Sequence, residues 1–190
     1  MTYDVDLLAE DAALAGYHQL DKEFSRLGFT RDISADAPIC RWRLGKLEVD
    51  LMPTESSNLG FSNRWYPLAV ETAQTLVLPS DTVIRLISAP AFMATKFVAF
   101  ADRGNSDYLA SHDLEDNINL LDGRPELNDE VAQSPTELLT YLATQCRTLL
   151  ETPAFHDGLQ GLIVPDALHG AHVAKVTQRL TQLADLEGNE

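Results

Sequence analysis

Acidic and apolar residues alternate strictly at the start of the chain, in Asp4-Val5-Asp6-Leu7, and again in Leu47-Glu48-Val49-Asp50-Leu51. A period of two marks a strand buried on one side only, because successive side chains of an extended backbone leave on opposite faces. Asp4 and Asp6 therefore share a face while Tyr3, Val5 and Leu7 take the other. In the second segment Glu48 and Asp50 share a face opposite Leu47, Val49 and Leu51. The residues between the segments read as one helix and a hairpin, so both strands fit one sheet, and pairing them brings Asp50 beside Asp4 and Asp6. Carboxylates gathered in this way repel one another unless a hard cation neutralises them. Mg²⁺ suits such a place, taking a few carboxylates together with water and substrate phosphates. The same alternation also describes the ordinary solvated face of a half-buried sheet, and the pattern alone is compatible with both.

With 190 residues, 45% of them hydrophobic, the chain has the makings of one or two small globular domains. Its 14 Lys and Arg against 29 Asp and Glu give a formal net charge of -15. That balance argues against a broad footprint for nucleic acid or an anionic membrane surface. A polyanionic ligand would have to be held locally, where a bound divalent ion inverts the sign, and the acidic surface itself suits a basic protein partner. Cys40 and Cys146 form neither a disulfide framework nor a metal-ligand spacing, which points to buried thiols in a reducing, cytoplasmic setting. The N-terminal residues show no signal-peptide pattern, and no apolar run is long enough for a membrane span.

Leu14, Tyr17, Leu20, Phe24 and Leu27 place one apolar stripe on a helix over 11–27, stopped by Gly28. Phe29 to Arg31 reads as a short strand. Ile39 to Leu44 forms a hairpin with the Asp50 strand through Gly45-Lys46, and Pro53 ends that strand. Trp42 alternates with Arg41 and Arg43, as a half-buried hairpin requires. Thr54 to Asn63 reads as a loop, and Thr75 to Leu78 and Thr82 to Ile87 as a second hairpin about Pro79-Ser80-Asp81. A helix follows from Ser88, a cap residue, through Pro90, with Phe92, Met93, Phe97 and Phe100 on its apolar face. Another begins near Ser111 and stops at Gly123. The remainder, Pro135 to Glu151 and Asp166 to Leu186, is helix-rich, and Gly188 to Glu190 is expected to fray.

Lys96 stands within the apolar stripe of the first of these later helices, where a lysine either snorkels to water or reaches a polar pocket. In a pocket it would hold phosphate as a point charge. Asp113 and Asp116 lie one helical turn apart and can orient Lys96, a metal-bound water or an acceptor group, although acidic residues in a first turn also simply complement the helix dipole. Arg103 and Asp107, between the two helices, are candidates to pair with each other or to touch phosphate. His169 and His172 lack a third ligand at recognisable spacing and read as surface or core histidines, and His112 reads as part of a helix start.

Taken in order, Thr2-Tyr3-Asp4-Val5-Asp6-Leu7-Leu8, Leu47-Glu48-Val49-Asp50-Leu51-Met52-Pro53, Ala94-Thr95-Lys96-Phe97-Val98-Ala99-Phe100, Asp102-Arg103-Gly104 and Ser111-His112-Asp113-Leu114-Glu115-Asp116 resemble the AbiEii/AbiGii-type toxin nucleotidyltransferases, whose core is similar to that of DNA polymerase β. The resemblance spans about residues 2 to 127. It implies a mixed-sheet α/β fold that uses Mg²⁺, or Mn²⁺, to transfer a nucleoside monophosphate from a nucleoside triphosphate to an RNA or protein acceptor. It assigns Asp4, Asp6 and Asp50 to the metal, and Lys96 and Asp113 to the catalytic machinery, with Lys96 on the nucleotide. Several members are toxins paired with an antitoxin, which adds an antitoxin or other basic protein to the expected partners; no membrane partner is implied. The family's Gly-Gly or Gly-Ser turn, which grips the triphosphate ahead of the first acidic strand, has no counterpart between Met1 and Asp4.

The expected architecture is thus a nucleotidyltransferase-like mixed sheet over 1–88 with a helical region, 89–190, packed on it as one continuous unit. The expected function is Mg-dependent nucleotidyl transfer. The alternative is a non-catalytic binding or regulatory module of the same fold without the phosphate-gripping turn.

Overall fold

The structure is a computed structural model, and it describes residues 4–10, 14–35, 37–54, 63–104 and 107–186, the side chains of Leu14, Ala15 and Tyr17 excepted. The chain divides into two compact units, Met1–Glu71 and Thr72–Glu190.

The first unit contains β1 (Asp4–Ala9), α1 (Leu14–Arg26), β2 (Thr30–Arg31), β3 (Arg41–Leu44), β4 (Leu47–Pro53) and α2 (Tyr66–Glu71). Its sheet runs β1-β4-β3-β2, with β1 parallel to β4 and the other neighbours antiparallel. A parallel neighbour needs a crossover, and α1 together with the β2 and β3 strands supplies it. Gly28, at φ +91°, ends α1 in the left-handed region that a side chain resists, and the Phe29 N–H donates back to the Phe24 carbonyl at 3.0 Å. Gly45, at φ +62°, opens the tight β3–β4 turn and so sets the register of that hairpin.

One face of this sheet is apolar. Ala9, Trp42, Val49 and Leu51 are buried there, with Leu20, Phe24 and Phe29 packed against them. The Phe24 ring sits 5.0 Å from Phe29 and 5.3 Å from Trp42. Each large side chain so buried contributes roughly 1.5–3 kcal/mol, so these few residues hold α1 on the sheet. By alternation the opposite face carries Asp4, Asp6, Glu48, Asp50, Arg41 and Arg43.

The second unit begins with an antiparallel hairpin, β5 (Gln74–Val77) and β6 (Val83–Leu86), closed by Pro79-Ser80-Asp81 with Asp81 at φ +61°. Aspartate tolerates that conformation better than most residues. Six helices follow: α3 (Ala89–Arg103), α4 (His112–Gly123), α5 (Leu127–Ala132), α6 (Thr136–Glu151), α7 (Pro153–Leu162) and α8 (His169–Ala184). Helix α3 packs on α4 and α6, and α8 on the same two. Their shared core contains Met93, Phe97, Leu114, Ile118, Leu121, Leu138, Leu142, Val176, Leu180 and Leu183.

The architecture is the mixed α/β one expected, with eight helices and two sheets among the described residues. The compact units meet at Glu71/Thr72, whereas the sequence places the change at 88/89, because the β5–β6 hairpin belongs with the helices that follow it. Leu27 does not extend the stripe of α1: it lies past the helix end and is 61% exposed. Ser88 occupies the N-cap of α3 without capping it, its hydroxyl instead sharing a hydrogen bond with Thr72 at 3.3 Å. The six-residue helices α2 and α5 carry too few turns for a clear periodic signal, and α7, although Phe155, Leu159 and Leu162 recur at helical spacing, lies between the two segments read as helix-rich. Thr2, Tyr3, most of the expected 54–63 loop and the Gly188 to Glu190 tail lie outside the described residues, as do the Leu14 and Tyr17 side chains. Among the described residues, no helix is long and apolar enough to cross a membrane.

Candidate functional site

Register decides which charges meet on the polar face of the first unit. Asp6 pairs with Asp50 across the parallel β1–β4 ladder, and Asp50 pairs with Arg41 across the antiparallel β4–β3 ladder. One row thus reads Asp6, Asp50, Arg41. The next reads Asp4, Glu48, Arg43, Thr30. In-register side chains on neighbouring strands stand on the same face, close enough to interact, so Asp4, Asp6 and Asp50 share one surface.

Asp50 is 9% exposed, while Asp4 and Asp6 are exposed. Both Asp50 oxygens are engaged by Arg41, whose Nε donates to Oδ1 at 2.8 Å and Nη2 to Oδ2 at 2.7 Å. The remaining prong of the guanidinium, Nη1, lies 2.9 Å from Glu48. A forked pair of this kind is among the stronger charge-assisted arrangements. The Asp50 hydrogen bond above all, with the charges of Asp50 and Glu48, holds Arg41 even further above its ordinary range than arginine already lies. Arg43 continues the lattice, with Nη2 2.7 Å from Glu48 and Nε 2.6 Å from Asp32. Asp32 is lowered to about 2, first by hydrogen bonds from the Ser34 hydroxyl and backbone N–H and then by Arg43.

The carboxylates of the row also act on Cys40. Burial first, then the charge of Asp50, and more weakly that of Asp6, push its thiol up to about 11.

The donor chemistry suits Mg²⁺ or Mn²⁺: oxygen ligands only, two of them exposed on one strand and a third in register beside them. Position is another matter. Among the described residues no three His, Cys, Asp or Glu stand as a group able to hold a metal ion, and the carboxylate of Asp50 is committed to Arg41. The residues fit the ion in kind, but their arrangement does not assemble a three-carboxylate centre.

Lys96 and Asp113 belong to the second unit, where α3 and α4 bring them together. The Lys96 ammonium lies 2.6 Å from Asp116 and 3.7 Å from Asp113, and 5.3 Å from the centre of the Phe92 ring. Its apolar neighbours on α3 bury the stem while the charge reaches the α4 carboxylates. Asp113 is buried, and Arg103 clasps it with Nε at 2.8 Å and Nη2 at 2.7 Å. Burial opposes the charge on Asp113, yet the Arg103 hydrogen bond, the Arg103 charge and Lys96 together hold its carboxyl below the ordinary range. Asp107, expected beside Arg103, accepts the backbone N–H groups of Leu109 and Ala110 at 2.9 and 3.0 Å. Asn117, fully buried one turn beyond Asp113, donates to the Met93 carbonyl at 3.2 Å and so ties α4 to α3.

The histidines find structural partners. His172 Nδ1 is 2.8 Å from Asp122, which also receives Lys175 at 2.7 Å, and His112 meets Glu115 at 3.2 Å on an exposed helix start. Arg41, which the residue pattern reads only as part of a half-buried hairpin, is the site neighbour of Asp50 that the pattern does not pair with it. The signal for it lay in the two-residue turn at Gly45-Lys46, which sets Leu44 opposite Leu47 and therefore Arg41 opposite Asp50.

No family model, no curated protein and no solved structure matches this chain.

Proposed function

We propose that this chain is a nucleotidyltransferase-type protein that takes a nucleoside triphosphate with Mg²⁺, or Mn²⁺, and passes its nucleoside monophosphate to an RNA or protein acceptor. The observation that carries the reading is the register of β1 against β4, which sets Asp4, Asp6 and Asp50 on one face of a mixed sheet. Asp4 and Asp6 would hold the ion; Asp50, the third carboxylate that the resemblance implies, is committed to Arg41. When bound, the ion would supply charge neutralisation at the phosphates and activation of the acceptor oxygen. Lys96 and Asp113 enter as the phosphate-binding charge and its orienting carboxylate. The strongly acidic chain suits a basic partner such as an antitoxin, and the buried free thiols Cys40 and Cys146 suit the cytoplasm.

A second reading rests on a specific contact. The fork from Arg41 to Asp50 is what a non-catalytic binding or regulatory module of this fold would keep, its third carboxylate serving the hairpin.

Thermal melts in Mg²⁺ with each nucleoside triphosphate separate the two. A ligand that binds only the folded chain stabilises it, by about 2.7 kcal/mol at a hundred times its dissociation constant. The enzyme reading expects a melting-temperature rise that Asp4→Asn/Asp6→Asn abolishes, together with transfer of label from an α-phosphate-labelled triphosphate. A rise of equal size in the double variant would sink it. A rise specific to the wild type without any transfer favours the binding module.

A further inference from the structure

On the apolar side of the first sheet, opposite the face that carries Asp50, α1 and β2 border an open cavity of about 670 Å³. That volume lies within the roughly 300–1,000 Å³ common for small-molecule sites. We propose that this cavity binds a small planar organic anion, its ring against Phe29 and Trp42 and its charge on Lys22. The inference is independent of the carboxylate face and goes beyond nucleotidyl transfer.

The hydrogen bonds along the walls fix the sign of the ligand. Ser25 donates its hydroxyl proton to the Asp21 carbonyl at 2.9 Å, and Thr30 donates to the Arg43 carbonyl at 3.5 Å. The Asp21 carboxylate accepts from Arg31 Nη2 at 2.6 Å, and Arg31 Nη1 donates to the Ile39 carbonyl at 2.9 Å. The same guanidinium stacks 4.6 Å from the centre of the Trp42 ring. Two donor groups on the walls are left without an acceptor. Lys22 has no hydrogen-bond or ion-pair partner among the described residues. Trp42 is 2% exposed, and its Nε1–H meets no acceptor among them either. A buried donor of this kind is costly until an acceptor reaches it. With Asp21 neutralised by Arg31, Lys22 leaves the wall positive in a chain of formal net charge -15. A ligand must therefore bring acceptors and negative charge.

The aromatic wall selects a flat, apolar body for that ligand. Phe29 and Trp42 stand 5.0 and 5.3 Å from Phe24, so the surface is continuous with the core that holds α1 on the sheet and is formed before anything binds. A ring laid against it gains from stacking as well as from burial. An inorganic anion would use Lys22 and leave the aromatic wall wet, and a neutral ring would use the wall and leave Lys22 unpaired.

The probe is naphthoate, titrated into the isotope-labelled full chain and followed in proton–nitrogen correlation spectra. Saturable shifts are expected at the Trp42 indole and at the amides of Ser25, Phe29 and Thr30, while the indole of Trp65, which lines no part of the cavity, stays in place. Naphthalenemethanol, the neutral analogue, and inorganic phosphate, the anion without a ring, are each expected to bind at least about fivefold more weakly. Lys22 is exposed on α1, so its replacement spares the core; circular dichroism checks the fold. Lys22→Gln is expected to weaken naphthoate about fivefold, and Lys22→Arg to restore most of the loss. Lys46→Gln removes the same charge at the β3–β4 turn, outside the cavity walls, and is expected to change affinity by less than about twofold. The proposal is overturned by absence of saturable shifts, by shifts centred outside the cavity, or by equal affinity for the alcohol or for phosphate. An affinity that Lys22→Gln leaves unchanged, or that Lys46→Gln lowers as much, overturns it too. Each of these results leaves the reading of the carboxylate face where it stood, because that face is on the other side of the sheet.

Discussion

Asp6 and Asp50 are partners across the parallel ladder of β1 and β4, although they stand 44 positions apart in sequence, and Asp50 is at the same time the antiparallel partner of Arg41. A carboxylate flanked in register by a second carboxylate on one side and a guanidinium on the other is neutralised from the guanidinium side, and both Asp50 oxygens accept from Arg41. The apolar side of the same strands fixes that register, since a slip of one residue would turn Val49 and Leu51 out of the core they share with Trp42 and expose them.

Acid should loosen the helical unit through Asp113 in particular. Its carboxyl is held below the ordinary value in the folded chain, so near and below pH 4 the unfolded chain binds the proton more readily. Its stabilising contribution is complete above the unfolded value of about 3.9 and disappears as pH falls through the lower folded value. Asp122, held down by Lys175 and His172 against its own burial, acts in the same direction. Asp113→Asn is expected to be less stable than wild type at pH 7, by about 1–3 kcal/mol for the lost charged hydrogen bonds, and to lose less between pH 5 and pH 3. Urea melts at the three pH values test this; parallel stability curves for the two proteins would remove Asp113 as the source.

Gly158 lies on the buried side of α7, where a methyl group built on its Cα would fall 2.4 Å from the Tyr108 carbonyl oxygen and 3.0 Å from the carbonyl carbon. Backbone atoms cannot swing aside as a side-chain tip can. Gly158→Ala is therefore expected to destabilise the second unit by about 1–3 kcal/mol, the usual cost of overpacking, despite alanine's better helix propensity. Gly161→Ala, three residues on, meets nothing within 4 Å and is expected to be neutral or slightly stabilising. Equal melting temperatures for the two variants would contradict the close approach of α7 to Tyr108.

How much of this was legible beforehand differs by element. The strands β1, β3 and β4 and the helices α3, α4, α6 and α8 follow from alternation, from periodic apolar residues and from Gly or Ser at their ends. The Asp4, Asp6 and Asp50 face follows from period two alone, once the strands are taken as neighbours. The parallel sense of β1 and β4 is not written in either strand; it comes from the helix and hairpin between them. The pairing of Arg41 with Asp50 depends on cross-strand register and not on spacing within a segment, so the alternation about Trp42 shows only a half-buried hairpin. Arg103, which reads in sequence as lying between the two helices, is in the last turn of α3, where it reaches Asp113. The unit boundary differs because the β5–β6 hairpin resembles the sheet region in composition, while it falls within the compact unit Thr72–Glu190 that holds the later helices.

Lys96 is expected to matter for ligand more than for folding. Asp113 keeps both Arg103 hydrogen bonds without it, and Asp116, whose side chain is 41% exposed, can turn to water. Removing Lys96 therefore strands no buried charge, and the loss of a partly exposed pair costs at most about 1 kcal/mol. A lysine whose stem is packed, and whose removal leaves Asp113 its Arg103 fork, is placed to exchange Asp116 for phosphate. Lys96→Ala is expected to leave the melting temperature within a few degrees of wild type and to weaken binding of Mg²⁺-nucleoside triphosphate about tenfold, the loss of one charge-assisted contact. Lys96→Arg, which retains the charge, is expected to recover part of that affinity. Isothermal titration calorimetry measures both. Unchanged triphosphate affinity in Lys96→Ala, in a wild type that binds the nucleotide, would falsify the phosphate role and leave Lys96 as a cross-link between α3 and α4.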